Sequence, residues 1–163
     1  AHDDGRLAPG RSRSGAAGRG AARTSCVRNR LVGHRVLFDT TFLIDLQREA
    51  LRGAPAAAFR FLEAHTEAAV CISVITYGEM AEGFATGEGD RFRDLMQHCR
   101  VIGLSEETAW RYGQLSRLLR QSGTPLGDND LWIASTALQM DTELVTRDRR
   151  HFDRIPGLQL LTY

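Results

Sequence analysis

The chain contains no lysine, so all 21 of its basic residues are arginines. This absence argues against haloacid-dehalogenase-like phosphatases and response-regulator receivers, which both need a lysine beside an aspartate that follows the first strand. A phosphatase of that kind also needs a second aspartate two residues after the first, and Thr41 occupies that position after Asp39. A G-K-[ST] loop is missing too, which excludes P-loop NTPases. The glycines at positions 15–20 follow no strand and make no dinucleotide-binding loop.

Long apolar runs are also absent from the sequence. No apolar segment approaches the roughly 20 residues that cross a bilayer, so we expect no membrane span. The three cysteines, Cys26, Cys71 and Cys99, are odd in number and too widely spaced for a zinc knuckle. We therefore expect free thiols in a reducing compartment, the cytoplasm.

The formal net charge of +1 conceals two regions of opposite charge. Residues 1–35 contain eight arginines against Asp3 and Asp4, whereas residues 36–163 contain 13 arginines against 18 acidic residues. An acidic body is unusual for a protein that simply coats nucleic acid. It favours a site that concentrates divalent metal ions.

Residues 1–30 are rich in Gly, Ala, Arg and Ser and show no hydrophobic periodicity. Such a composition predicts a disordered tail, followed by a folded domain over residues 31–163. For the tail three alternatives stay open: a transit peptide, a segment read from upstream of the true start, and an RNA-binding arm.

From Arg35 onward, strand patterns alternate with helical patterns. The strands are "RVLF", "AVCISVI", "VIGL", "ELVTR" and "LQLL", and most are joined by amphipathic segments. This alternation predicts an α/β fold whose parallel sheet is covered on both faces. In such sheets ligands bind beyond the carboxyl ends of the strands.

Two aspartates follow predicted strands directly: Asp39 after "VLF" and Asp148 after "LVTR". Each alone could be only a cap for the next helix or turn. The segment "GDNDLWIA" adds two more aspartates at the start of a helix. With about 100° per residue, Asp130 falls in the middle of the apolar arc, whereas Asp128 falls on the wet face with Ser135 and Gln139. Asp128 is therefore predicted to cap the helix and Asp130 to face a cation.

A further acid, Glu79, lies in the first helical turns after the strand "CISVI". Periodicity does not separate Glu79 from Glu82, and a solvated helix charge explains both. The position of Glu79 just beyond a strand favours it as a member of the site.

Taken together, the segments "VLFDTTFLIDL", "ISVITYGEM", "NDLWIASTAL" and "LVTRDRRHFDRIPGL" resemble the four motif blocks of the PIN domain, and especially those of VapC-type ribonuclease toxins. The resemblance covers residues 35–163 and implies a three-layer α/β/α sandwich with a central parallel sheet. It also implies an acidic quartet with a hydroxyl residue two positions before the last acid. The quartet is Asp39, Glu79, Asp130 and Asp148, and the hydroxyl residue is Thr146.

Clustered carboxylates cannot all ionise without a counter-charge, and Mg²⁺ or Mn²⁺ prefers such oxygen ligands. We expect Asp39 and Asp130 to be the direct metal ligands. For Glu79 and Asp148, direct ligation, ligation through water and a second metal site are all open. In a chain without lysine, the metal is expected to activate the water that attacks the phosphodiester.

The predicted function is that of a metal-dependent endoribonuclease acting as the toxin of a toxin–antitoxin pair. Its partners would be RNA, the cognate antitoxin and a second copy of the chain. Arg147, Arg149 and Arg150 are candidates for RNA phosphates, although a solvated loop explains them equally well. Trp132 is predicted to point outward, into a dimer or onto a base. The alternative function is a catalytically silent PIN-like module that binds protein.

Overall fold

The structure is a computed structural model that describes residues 35–163. The predictions made for residues 1–30, and the domain boundary at residue 31, lie outside the described residues. In chain order the elements are β1 (Arg35–Phe38), α1 (Thr40–Arg52), α2 (Ala57–Ala64), β2 (Ala69–Ser73), α3 (Val74–Glu82), α4 (Gly89–Met96), β3 (Arg100–Ile102), α5 (Glu106–Gln121), α6 (Asp128–Gln139), β4 (Leu144–Val145), α7 (Arg149–Phe152) and β5 (Leu160–Leu161).

All five strands pair in parallel in the order β3-β2-β1-β4-β5. Strand β1 is central, and its Leu37 lies level with Cys71 of β2 on one side and Leu144 of β4 on the other. The predicted parallel sheet is therefore confirmed. Because β1 lies between β2 and β4, the segments that follow these three strands emerge side by side at one edge.

The two faces of the sheet are covered by separate sets of helices. Val36 and Phe38 pack with side chains of α1 to α4, whereas Leu37, between them in the chain, packs with α5, α6 and α7. This alternation follows from the two-residue period of a strand, and all three side chains are fully buried. The predicted three-layer α/β/α arrangement is confirmed.

Strand β2 is shorter than the sequence pattern predicts. It ends at Ser73, whose hydroxyl accepts a hydrogen bond from the Thr76 N–H at 2.9 Å and caps α3. The apolar residues Val74 and Ile75 belong to the helix, because the cap overrides their strand propensity. Helix α3 therefore starts directly at the carboxyl end of β2.

Among residues 35–163, no helix combines the length and the hydrophobicity that crossing a membrane requires.

Candidate active site at the carboxyl edge of the sheet

Asp39 occupies the centre of the carboxyl edge, directly after β1. Its backbone N–H binds the Val145 carbonyl at 3.0 Å, which ties the residue to the end of β4. The side chain is buried, and it accepts hydrogen bonds from the Thr40 N–H at 2.7 Å, the Thr41 hydroxyl at 2.7 Å and the Thr146 hydroxyl at 2.8 Å. Asp39 is thus also the N-cap of α1. Capping and a functional role are compatible, because a carboxylate has about four acceptor positions.

Burial raises the pKa of Asp39 above its ordinary value, and the nearby Glu79 carboxylate adds to this effect. The hydrogen bonds from Thr41, Thr146 and Thr40 oppose the rise without cancelling it. The fold therefore holds a carboxylate where its charge is unfavourable. A bound cation would supply the missing compensation.

Glu79 lies half-buried on α3, within reach of the same edge. Its two carboxylate oxygens are held separately: Oε1 accepts from the Asn129 side-chain amide at 2.8 Å, and Oε2 accepts from the Thr40 hydroxyl. Glu82 is exposed and has no such contacts among the described residues. The structure therefore separates the two acids that periodicity could not, and Glu79 is the one directed to the site.

Asp130 lies in the first turn of α6, with 30% of its side chain exposed. Burial is the largest cause of its raised pKa, and Asp39, Glu79 and Asp148 raise it further, whereas His151 lowers it. Asp130 therefore lies in the combined field of the other three acids. Those acids come from three other parts of the fold, so the quartet meets only in the folded chain.

Asp148 lies after β4 and, with 45% of its side chain accessible, is more exposed than Asp39 and Asp130. The Thr146 hydroxyl accepts the Asp148 N–H at 3.0 Å while donating to Asp39. Thr146 is completely buried and so connects two of the acids through one hydroxyl. A residue with no hydroxyl at this position would lose both contacts.

Four polar residues that lie at this edge have no role predicted from the sequence. The imidazole Nδ1 of His151 lies 3.4 Å from an oxygen of Asp130 and 3.4 Å from an oxygen of Asp148. The others are Thr40, Thr41 and Asn129, whose contacts are given above. The i,i+3 spacing of Asp148 and His151 on a short helix was available in the sequence, but their contact with Asp130 depends on the packing of α6.

The prediction that Asp128 caps α6 is wrong. Gly127 is the N-cap, and Asp128 is the first helical residue, exposed and accepting a hydrogen bond from the Tyr112 hydroxyl at 2.8 Å. The chain enters the helix one residue earlier than predicted, which leaves Asp128 and Asp130 both in the first turn. Acids in that turn interact favourably with the helix dipole.

Two further predictions for α6 need correction, because α5 packs against its supposed wet face. Ser135 is buried, and its hydroxyl donates to the Leu131 carbonyl at 2.7 Å. Trp132 stacks on Tyr112 of α5, with ring centroids 4.0 Å apart and planes inclined by 14°. Its ring is therefore packed within the chain and does not simply project outward.

The three candidate RNA-binding arginines are exposed beside Asp148. Arg147 pairs with Asp45 of α1 at 2.6 Å, and Arg149 pairs with the exposed Asp153 at 3.1 Å. Arg150 projects from the first turn of α7. Their contact with RNA stays a prediction.

The residues of this edge fit a hard divalent cation by the chemistry of their donors. Within residues 35–163, no three acidic, histidine or cysteine side chains are already gathered around one metal position. Mg²⁺ needs no such cage, since one or two carboxylates and several waters usually hold it. Asp39, with one acceptor position left, and the half-buried Asp130 satisfy that requirement.

The fold and the site together define an α/β/α protein with a cluster of acids at the carboxyl edge of its parallel sheet. The chain belongs to the PIN domain family, whose sequence profile matches residues 36–158.

Two relatives and one solved structure agree with this assignment. The chain is 32% identical over 124 residues to Ribonuclease VapC19 of Mycobacterium tuberculosis, covering 76% of this chain and 96% of the relative. It is 34% identical over 94 residues to Ribonuclease VapC1 of Haemophilus influenzae, covering 54% and 69%. It also resembles a crystal structure of VapBC2 from Rickettsia felis bound to a promoter DNA fragment, with a TM-score of 0.67 and 26% identity over 79% of this chain and 98% of that one.

Proposed function

We propose that the protein is an endoribonuclease that depends on Mg²⁺ or Mn²⁺ and acts as the toxin of a toxin–antitoxin pair. The arrangement of Asp39, Glu79, Asp130 and Asp148 at one edge carries this proposal: burial is the main cause of the raised pKa of Asp130, and the other three carboxylates lie close enough to raise it further. Membership of the PIN domain family and relatives named as ribonucleases support it.

In the proposed mechanism the protein supplies a prepared frame of oxygen ligands. Asp39 and Asp130 would hold the ion, which when bound supplies activation of water and stabilisation of developing negative charge. The Thr41 and Thr146 hydroxyls orient Asp39, and Thr40 and Asn129 orient Glu79.

Substrate RNA would approach the open side of this frame. Asp130 and Asp148 are the more accessible acids, and the exposed arginines beside Asp148 would bind the phosphates that flank the scissile bond. His151, between the two exposed acids, lies close enough to contact a phosphate oxygen or a water held there.

An antitoxin would bind across the same side of the protein. The accessible carboxylates suit a basic side chain of such a partner. An apolar cavity of about 310 Å³ on the face of the sheet covered by α1 to α4, lined by residues including Leu43, Leu46, Met80 and Leu95, suits an apolar segment. The solved VapBC2 assembly from Rickettsia felis supports the analogy.

We also propose a homodimer in the cytoplasm. Apolar side chains exposed along β3 and α5, among them Val101, Trp110 and Leu118, offer a surface for a second copy. The thiols of Cys71 and Cys99 are free, in keeping with a reducing compartment. Light scattering of the purified protein tests the dimer, and a monomer at micromolar concentration would count against it.

The test of the ribonuclease compares two aspartates two residues apart on α6. Asp130→Asn keeps the shape of the side chain but removes a proposed metal ligand, so Mn²⁺-dependent RNA cleavage should fall by about two orders of magnitude or more. Asp128→Asn is the matched control, because Asp128 is exposed and contacts Tyr112 outside the site, and it should retain most activity. A wild-type protein that folds and binds a partner but never cleaves RNA would support the binding-module alternative.

A further inference from the structure

A second polar cluster adjoins the acidic edge, and two of its three residues, Asp45 and Tyr163, have no part in the mechanism above. Its centre is Asp45 on α1, whose side chain is only 15% exposed. One oxygen of this carboxylate, Oδ2, forms an ion pair with the Arg147 guanidinium at 2.6 Å and accepts a hydrogen bond from the Tyr163 hydroxyl at 2.9 Å. A carboxylate this buried requires such partners. Asp45 is therefore a fixed anchor, unlike a surface acid on a mobile side chain.

Arg147 is the residue that this anchor holds. It stands in the chain between Thr146, which binds Asp39, and Asp148, which faces His151. The contact with Asp45 uses Nη1, while 59% of the Arg147 side chain is exposed. A guanidinium has five N–H donors, so a bond at one end leaves others to bind an anion. The ion pair thus fixes one end of the guanidinium, while most of this side chain, one residue before Asp148 in the chain, stays exposed.

Tyr163, two residues after β5, holds Asp45 through its hydroxyl. Its ring packs edge-on against Phe42 with centroids 4.7 Å apart. Burial and the neighbouring Asp45 raise the pKa of Tyr163 well above its ordinary value, so the hydroxyl stays protonated and keeps donating. On the same helix α1, Thr41 lies one turn before Asp45, and its hydroxyl donates to Asp39 at 2.7 Å. The cluster and the acidic site are therefore neighbours on this helix.

We propose that Asp45 is a positioning residue that, supported by Tyr163, holds the Arg147 guanidinium at the rim of the site, where it binds a phosphate of the substrate. This inference rests on the proposed ribonuclease function and specifies how its substrate is held. A guanidinium fixed in advance loses less side-chain entropy when it binds phosphate than a free one does.

Because Asp45 is negatively charged, general electrostatics and the proposed anchor predict opposite effects of Asp45→Asn on RNA binding. Asp45→Asn removes a negative charge next to an RNA-binding edge, so general electrostatics alone would strengthen RNA binding. Loss of the anchor instead releases Arg147 and weakens the productive complex. We expect the second effect to dominate, with kcat/KM lowered roughly fivefold, mainly through KM.

A double-mutant cycle tests whether Asp45 acts through Arg147. The substrate is a labelled single-stranded RNA that the wild-type protein cleaves in Mn²⁺. Arg147→Gln should lower kcat/KM roughly tenfold, and adding Asp45→Asn to it should cause little further loss. Tyr163→Phe, which keeps the ring packing, should lower it about twofold and likewise have no added effect in the Arg147→Gln background.

The neighbouring pair Arg149 and Asp153 gives matched controls, because its charges lie 3.1 Å apart with both side chains more than half exposed. Arg149→Gln should lower kcat/KM less than Arg147→Gln does, and Asp153→Asn should lower it less than Asp45→Asn does. The effects of Arg149→Gln and Asp153→Asn should also be additive in the double mutant. Should Asp45→Asn fail to fold in a thermal melt, the Tyr163→Phe cycle with Arg147→Gln carries the test.

Additive losses in the Asp45 and Arg147 cycle, or an unchanged or improved KM in Asp45→Asn, would overturn the proposal. These results require a wild-type protein that cleaves RNA. Absence of wild-type cleavage in Mn²⁺ would instead count against the proposed function itself, so the two failures are distinguishable.

Discussion

The two halves of the acidic site differ in how firmly the fold holds them. Asp39 is buried at the end of the central strand and fixed by three hydrogen bonds, two of them from side-chain hydroxyls. Asp148 is nearly half exposed and accepts one hydrogen bond, from the His151 backbone N–H at 3.3 Å, and its carboxylate, like that of Asp130, lies 3.4 Å from the His151 imidazole, beyond an ordinary hydrogen bond. The fold thus prepares one ligand in advance and leaves the other side adjustable for substrate and water. Removing parts of the rigid half should cost more than removing parts of the exposed half.

The largest effect is expected from Asp39→Asn. Asn is uncharged, so it cannot replace the carboxylate as a metal ligand. Its NH₂ group would also face the hydroxyls that now donate to Asp39. RNA cleavage in Mn²⁺ should become undetectable, and heat released on Mn²⁺ binding should be lost in calorimetry. An Asp39→Asn protein that cleaves at more than a tenth of the wild-type rate would remove Asp39 from the site.

Thr146→Val should have the next largest effect, because it keeps the shape of the side chain and removes its hydroxyl. The change deprives Asp39 of one donor and leaves the Asp148 N–H without its acceptor, at a cost of about 1–3 kcal/mol in the free energy of unfolding. Urea denaturation measures this cost.

Thr136→Val is the control for that change. Thr136 is equally buried, but its hydroxyl binds only the Trp132 carbonyl within α6. The Thr136→Val protein should lose less stability than the Thr146→Val protein and should keep the wild-type cleavage rate. Equal effects of the two substitutions would show that Thr146 acts only as a core residue.

The pH dependence of the metal-free protein should follow the raised pKa values of Asp39 and Asp130. For an acid whose folded-state pKa lies above its unfolded value of 3.8, the native state takes up protons first as pH falls. The free energy of unfolding contributed by these groups therefore rises as pH falls through the folded pKa towards 3.8.

Thermal melts in a chelator, from neutral to mildly acidic pH, measure this effect. Asp130→Asn should be more stable than the wild type at neutral pH without metal, and the difference should shrink as pH falls. A difference that grows on acidification would contradict the predicted direction. Added Mn²⁺ should reverse the order of the two proteins.

The smallest effect is expected from His151→Gln in the exposed half. Its ring is half exposed, and its contacts with Asp130 and Asp148 are long. Cleavage at neutral pH should fall by no more than about fivefold, with little change in melting temperature. A loss as large as that of Asp39→Asn would assign His151 a direct role in the reaction.

Much of this comparison could be predicted from the sequence. Acids directly after buried strands, Asp39 and Asp148, must meet at one edge of a parallel sheet, and helix phase directed Asp130 towards the same place. For Glu79 the sequence offered only its position after a strand and the family resemblance, since its contacts with Asn129 and Thr40 join elements distant in the chain.

The failed predictions for α6 have two physical causes. The prediction for Asp128 assumed one particular first residue for α6, and helix ends are the least certain part of such predictions. The predictions for Ser135 and Trp132 assumed a helix with one wet face, but α6 is covered by the sheet and by α5. Tertiary packing of this kind has no local signature.

The central claim is that the acidic edge cleaves RNA only with a hard divalent cation. Its most direct test is the cleavage rate of purified wild-type protein after treatment with a chelator, measured again as Mn²⁺ is added back. We expect no cleavage in the chelator, full recovery with Mn²⁺ and no recovery in Asp39→Asn under the same conditions. Cleavage that persists in the chelator and survives in Asp39→Asn would contradict the claim.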